Sequence, residues 1–142
     1  MNGPILLIED SDNDIFLMER ALRKAEITLP LQIEKNAERA VDYLSGKPPF
    51  ESRQLYPLPC LILLDLSMPL MTGHEILKWR QGQPAIRRIP AIVLTLSEQR
   101  DDIVNAYDAG VNAYLVKPPT FDGLVELAKV IKTFWLVHNV FA

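Results

Sequence analysis

Four unbroken apolar runs punctuate the chain, and each ends in a polar side chain. Ile5-Leu6-Leu7-Ile8 leads into Glu9-Asp10, Cys60-Leu61-Ile62-Leu63-Leu64 into Asp65, Ala91-Ile92-Val93-Leu94 into Thr95, and Ala113-Tyr114-Leu115-Val116 into Lys117. Short runs without polar alternation read as strands buried on both faces. A fifth, shorter strand is predicted over Leu31 to Lys35. Helical patterns fill the intervals. Asp12 to roughly Ile27 places Ile15, Met18, Leu22 and Ala25 near one face, and Ala37 to Leu44 is closed by Ser45-Gly46. Further helices are predicted from about Gly73 to Arg80, from Glu98 to Ala109 with Gly110 just beyond, and from about Phe121 onward. Alternating strands and helices predict an α/β fold, a doubly wound five-stranded parallel sheet with helices on both faces.

The polar residues that end the strands are the candidate chemistry. A carboxylate cannot sit unpaired inside a buried strand, so Asp65 marks a carboxyl edge, where ligands bind in open parallel sheets. Pro69 biases Met68 away from the α region, and Gly73 gives freedom to turn into the next helix. Glu9 and Asp10 end a strand of the same kind. Ser11, Asp12 and Asn13 follow them as good helix N-caps. If the two strands are neighbours, three carboxylates crowd one pocket and need a cation among them. An all-oxygen site of this kind suits Mg²⁺ or Mn²⁺. Taken alone, Glu9 and Asp10 are read equally well as a cap on the first helix, Thr95 as a cap and Lys117 as a solvated cation. Their coincidence at matching strand ends favours a site.

Together the residues carry a resemblance. Glu9-Asp10, Asp65-x-x-Met68-Pro69-x-x-x-Gly73, Thr95 and Tyr114-x-x-Lys117-Pro118 resemble a response-regulator receiver domain of the CheY type, as does the lead-in Ala109-Gly110-Val111-Asn112-Ala113-Tyr114. The resemblance spans nearly the whole chain and implies strand order 2-1-3-4-5. It also implies Asp65 as phosphoacceptor. Asp10, Asp65 and the Ser67 carbonyl would bind Mg²⁺, with Glu9 acting through metal-bound water. Lys117 would pair with the phosphoryl oxygens, and Thr95 would bond them and move inward. Tyr114 would change rotamer with Thr95, and the Lys117-Pro118 bond would be cis. The implied partner is a sensor histidine kinase. The chemistry agrees with what phosphoryl transfer needs, which is positioning and neutralisation of charge.

Composition narrows the picture further. The 142 residues, 49% of them hydrophobic, are enough for one domain, 1–142, with a real core. The net charge of −3 argues against a nucleic-acid footprint, and no apolar run is long enough to span a bilayer. Met1-Asn2-Gly3-Pro4 is too short and polar for a signal peptide, so the cytoplasm is the expected compartment. Cys60 is the single cysteine and reads as a small core residue.

Two segments exceed the minimal pattern. Residues 47–59 form a proline-rich insertion, read as a stiff spacer packed on the surface; Phe50, Leu55 and Tyr56 offer an alternative partner contact. A similar extension occurs in receivers that serve bacterial phytochrome-type histidine kinases, especially cyanobacterial ones. The last helix and tail, about 121–142, carry a core stripe of Leu124, Leu127, Ala128, Ile131 and Trp135. Val125, Val130, Phe134, Leu136, Val137, Val140 and Phe141 add apolar residues beyond it. An excess of this kind predicts an exposed patch and a homodimer through the fourth helix, fifth strand and fifth helix, with Val130, Phe134, Val137 and Phe141 at the interface; the alternative is a tail that folds back on its own domain.

Two positions depart from the commoner receiver pattern. Leu96 is bulky where a small residue is usual, which would narrow access to Asp65, and Pro119 makes a double proline. Ser67 and Ser97 occupy positions that tune dephosphorylation in the family, and both are small and polar. Of the rival readings, a phosphohydrolase of the haloacid-dehalogenase kind would carry a second Asp where Ser67 stands. A pseudo-receiver acting as a constitutive dimeric module would not need the full set Glu9, Asp10, Asp65, Thr95 and Lys117.

Overall fold

The computed structural model describes residues 3–68 and 72–142. The expectation placed on Pro69 lies outside the described residues. The elements alternate as β1 (Ile5–Ile8), α1 (Asp12–Lys24), β2 (Leu31–Glu34), α2 (Ala37–Ser45), β3 (Leu61–Leu64), α3 (Gly73–Gln81), β4 (Ala91–Thr95), α4 (Arg100–Asp108), β5 (Ala113–Val116) and α5 (Phe121–Ile131). A π-helical segment, Lys132–His138, continues α5. The five strands form one parallel sheet in the order β2-β1-β3-β4-β5.

Alternate side chains of the central strands serve two cores. Leu6, Ile8, Ile62, Leu64, Ala91 and Val93 pack with α2, α3 and α4. Ile5, Leu7, Leu61, Leu63, Ile92 and Leu94 face the other way, onto Ile15, Met18 and Leu22 of α1 and Leu124, Ala128 and Ile131 of α5. Both faces are covered, so these strands tolerate no polar position until they reach their ends. Fully burying each such Leu or Ile contributes about 1.5–3 kcal/mol. β5 departs from the expected buried strand. Among the described residues it pairs only with β4, so Ala113, Tyr114 and Leu115 are half-buried and Val116 is exposed.

The helix ends follow their sequence signals. Ser11, Asn36, Thr72 and Thr120 cap α1, α2, α3 and α5 through their side chains, and Thr72 with Glu75 forms a capping box. Gly46 ends α2 in the left-handed region at φ 72°. α4 begins later than predicted, because Gln99 at its start makes no side-chain cap. Arg80 is a buried cation with no carboxylate partner among its bonds. It donates instead to the carbonyls of Ile89 and Gly110 and to Asn112 Oδ1, which also accepts from Ala91 N. This knot fastens α3 to the amino-terminal edge of β4 and β5, opposite the polar strand ends.

The 47–59 insertion folds back onto α2. Phe50 is buried and meets Tyr43 and Tyr56 edge-on at centroid distances of 5.6 and 5.1 Å. Arg53 donates to the Tyr43 and Leu44 carbonyls at 2.9 and 2.8 Å, and the Tyr43 hydroxyl donates to Pro57 O. Leu55 stays exposed. The segment is thus packed on the surface, with its aromatic residues turned inward. Among the described residues the cis peptide bond lies at Pro48–Pro49. Lys117–Pro118 is not cis as the resemblance implied; it keeps the trans form that X–Pro bonds favour by about 0.5–1 kcal/mol.

Burial pushes the Tyr43 phenol from 10.0 up to about 12. A folded value above the unfolded one means that its stabilising contribution is complete below pH 10 and lost as pH rises toward 12. Ultraviolet titration should show one phenol ionising near pH 12, with unfolding free energy falling across that window; ionisation of all tyrosines together near pH 10 would show that Tyr43 is not sealed under the insertion.

Candidate functional site

The carboxyl ends of β1, β3, β4 and β5 deliver their polar residues to one edge. Asp65 follows β3 and is largely buried. Its Oδ1 accepts from Ser67 N at 3.3 Å, which fixes the turn after the strand. Gly73 brings the start of α3 against that turn. A Cβ at this position would stand 2.7 Å from Asp65 O and 2.8 Å from Leu66 Cα, so only glycine permits the approach. Thr95 is buried at the end of β4. Its carbonyl accepts from Lys117 N at 2.7 Å, tying together the strand ends that carry the hydroxyl and the cation.

Lys117 is the centre of the arrangement. Its ammonium donates to Glu9 Oε2 at 2.9 Å, Asp14 Oδ2 at 3.2 Å and Asp65 Oδ2 at 3.5 Å. Glu9 is buried, and its other oxygen accepts from Ser11 N at 3.1 Å. Burial pushes the Glu9 carboxyl up, against the hydrogen bond and charge of Lys117 that pull it down. Burial works against the Lys117 charge as well, but the Glu9 hydrogen bond and the Asp65 and Glu9 charges outweigh it and hold its pKa above 10.5. Lys117 is therefore a charged ammonium at neutral pH.

The three expected metal carboxylates are only partly gathered. Asp10 is exposed, while Glu9 and Asp65 turn toward Lys117. Among the described residues no group of three His, Cys, Asp or Glu side chains stands ready to hold a metal ion. The expected crowding of Glu9, Asp10 and Asp65 is corrected on this point: Lys117 supplies the compensating charge that the sequence reading gave to a cation. The donor set still fits a hard divalent ion, since Asp10, Asp65 and Ser67 follow adjacent strands and offer only oxygen.

Tyr114 donates its hydroxyl to Ser97 O at 2.9 Å, joining β5 to the loop after β4; burial raises its pKa and keeps it a neutral donor. The Ser97 hydroxyl donates to Asp102, so it is engaged with α4. A cavity of about 250 Å³ opens beside Asp65 and Lys117, with apolar walls that include Leu7, Met18, Leu94, Pro118 and Phe121. Leu96 lines it too but is 73% exposed, so it stands at the rim and does not plug the entrance.

The tail is only in part the patch expected. Val130, Phe134 and Val137 are each more than half exposed, but Phe141 is half-buried against the α1–α5 core, as are Trp135 and Leu136. Thr133 Oγ1 donates back to Lys129 O, and Asn139 N reaches Phe134 O, five residues away. The wider π turn shifts the apolar stripe from the 3.6-residue period. Sequence reasoning missed Val104 and Tyr107 on α4 and Val116 on β5, which are also exposed. It missed Asp14 as well, because an acidic residue in a first helical turn has an ordinary explanation in the helix dipole.

Comparison with known proteins gives the same placement. Residues 5–129 match the family model described as "Response regulator receiver domain". "Response regulator Rcp1" from Synechocystis sp. is 36% identical over 132 residues, covering 93% of this chain and 88% of that one. The phosphorylated cyanobacterial phytochrome response regulator RcpA superposes with a TM-score of 0.91 at 32% identity, covering 99% of both chains. The Mn²⁺-bound form of Rcp1 gives 0.87 at 34%, again over 99% of both.

Removing the ammonium should be costly. Lys117→Met leaves Glu9 and Asp65 facing each other and should lower stability at pH 7 by about 3 kcal/mol. The loss should shrink at acid pH, where Glu9 takes up a proton. It should also shrink above pH 10.5, because a raised lysine pKa means that the wild-type contribution is complete below the unfolded value and lost as pH climbs through the folded one. Urea unfolding across pH checks this; a loss independent of pH would contradict the electrostatic account.

Proposed function

The chain belongs to the response regulator receiver domain family, and from that premise we propose that it is a phosphoaccepting switch working on Asp65. The observation that carries the reading is the Lys117 ammonium held 3.5 Å from Asp65 Oδ2 at the joined ends of four parallel strands. A sensor histidine kinase supplies the phosphoryl group. A carboxylate oxygen of Asp65 forms the new O–P bond as the P–N bond of the phosphohistidine breaks, and the imidazole leaves with a proton. Asp65 is positioned for attack by Ser67 N, and Lys117 offers its charge to the phosphoryl oxygens. Thr95, buried at the end of β4, donates to a phosphoryl oxygen. Tyr114 follows Thr95 because its hydroxyl is bonded to the same loop, at Ser97 O.

Asp10, Asp65 and the Ser67 carbonyl would hold Mg²⁺, with Glu9 reached through water, and the ion would supply further positive charge where the transferring group gains negative charge. The donor chemistry supports this assignment, as does the similarity to a Mn²⁺-bound response regulator. Turnover enzymology is not part of the reading, since Ser67 stands where a phosphohydrolase would carry its acid/base Asp.

The similarity to RcpA, described as a phytochrome response regulator, supports a phytochrome-type kinase as the partner. Signalling then proceeds by a population shift between two conformations and by protein contact, in the cytoplasm, within a single receiver domain, 1–142. No helix among the described residues is long and apolar enough to cross a membrane. The contact is a homodimer through α4, β5 and α5. It is supported by the exposed residues Val130, Phe134 and Val137, and by exposed Val104, Tyr107 and Val116 on the neighbouring elements.

Intact mass after incubation with Mg²⁺ and a small phosphodonor should show one phosphoryl adduct, absent from Asp65→Asn and absent in EDTA. Labelling of Asp65→Asn at the wild-type level would remove Asp65 as acceptor. Lack of any adduct would leave the dimer surface as the function. Sedimentation velocity tests that surface separately: Phe134→Glu should shift the protein toward monomer, and an unchanged, folded dimer would place the interface elsewhere.

A further inference from the structure

Asp14 lies in the first turn of α1, where its backbone N–H is capped by Ser11 Oγ at 3.2 Å. Its carboxylate nevertheless crosses to Lys117, and at 3.2 Å it is nearer to the ammonium than Asp65 is, at 3.5 Å. An ammonium carries three protons, and Glu9, Asp14 and Asp65 occupy all three. A phosphoryl oxygen arriving on Asp65 inherits the place that Asp65 holds at 3.5 Å, and drawing the ammonium any closer to it pulls that ammonium away from Asp14 or Glu9.

The three acceptors are not equally replaceable. Glu9 is 5% exposed and braced by Ser11 N, so it stays. Asp65 is the reacting group. Asp14 is 37% exposed, so water can take over its hydrogen bond when it lets go. The neighbouring Asp12 does none of this, since its partner is Lys35 on the surface.

We propose that Asp14 is a positioning residue for phosphoryl acceptance, holding Lys117 toward α1 and releasing it when the phosphoryl group arrives. It acts as a built-in competitor. Its charge also opposes an anionic donor, so both effects lower the affinity of the site for a phosphoryl group. The inference rests on Asp65 being the acceptor.

Beryllofluoride, which mimics a phosphoryl group on a carboxylate, gives the test. Its affinity is measured by ¹⁹F NMR in the presence of Mg²⁺, with thermal unfolding as a check on folding. Asp14→Asn should bind about two- to fivefold more tightly, the range expected for losing one partly exposed charge pair. Asp14→Glu should remain near wild type, and so should Asp12→Asn, which changes the same helical turn and the same net charge. Structural damage would weaken binding, so a tightening absent from Asp12→Asn reports loss of the Asp14 carboxylate beside Lys117. Unchanged or weaker binding by folded Asp14→Asn would overturn the inference, as would an equal gain in Asp12→Asn. A wild-type protein that takes neither beryllofluoride nor a phosphoryl adduct would overturn the acceptor reading itself, and this inference with it.

Discussion

One ammonium group decides how this site is built. Lys117 Nζ stands within 3.5 Å of carboxylates from β1, α1 and β3, and without it Glu9 and Asp65 would be largely buried negative charges facing each other. Partial burial strengthens the attraction, and the cavity beside it is walled mostly by Leu, Met, Pro and Phe side chains. On the proposed reading, the cation that stabilises the unmodified state is also the one a transferred phosphoryl group would recruit. The resting ion pairs and the proposed accepting state would then compete for the same protons.

The sheet makes that competition possible. Strands that bury alternate side chains in two separate cores cannot slide by one residue without exchanging the cores, so their ends are held in register. The register brings Glu9, Asp65, Thr95 and Lys117 to one edge, while Arg80 and Asn112 fasten the opposite edge of β4 and β5. Gly73 lets α3 start directly against the Asp65 turn. Tyr114 and Ser97 connect the site to β5 and α4, the elements that also carry exposed apolar residues.

Much of this was legible in the sequence because buried parallel strands leave an unmistakable trace. Continuous apolar runs located four strands, and the polar residue ending each run located Glu9, Asp65, Thr95 and Lys117. The cap at Ser11 and the glycine at 46 placed the start of α1 and the end of α2 to within a residue. What escaped notice depends on contacts far apart in the chain. Asp14 reads as a helix-dipole residue until β5 brings Lys117 to it. Glu9 and Asp65 turn toward Lys117 while Asp10 stays exposed, an arrangement set by a contact far along the chain. Phe141 turns inward because a π turn at the end of α5 breaks the period that its assignment assumed. β5 looks buried from its composition, and its edge position is a property of the whole sheet.

The claim on which the rest depends is that Asp65 carries the phosphoryl group. Borohydride reduces an acyl phosphate on aspartate to homoserine, and tandem mass spectrometry of the digested protein locates the change. After exposure to Mg²⁺ and a phosphodonor, homoserine at position 65 is the result this account predicts. Homoserine at Asp10 or Asp14, with Asp65 intact, would contradict it.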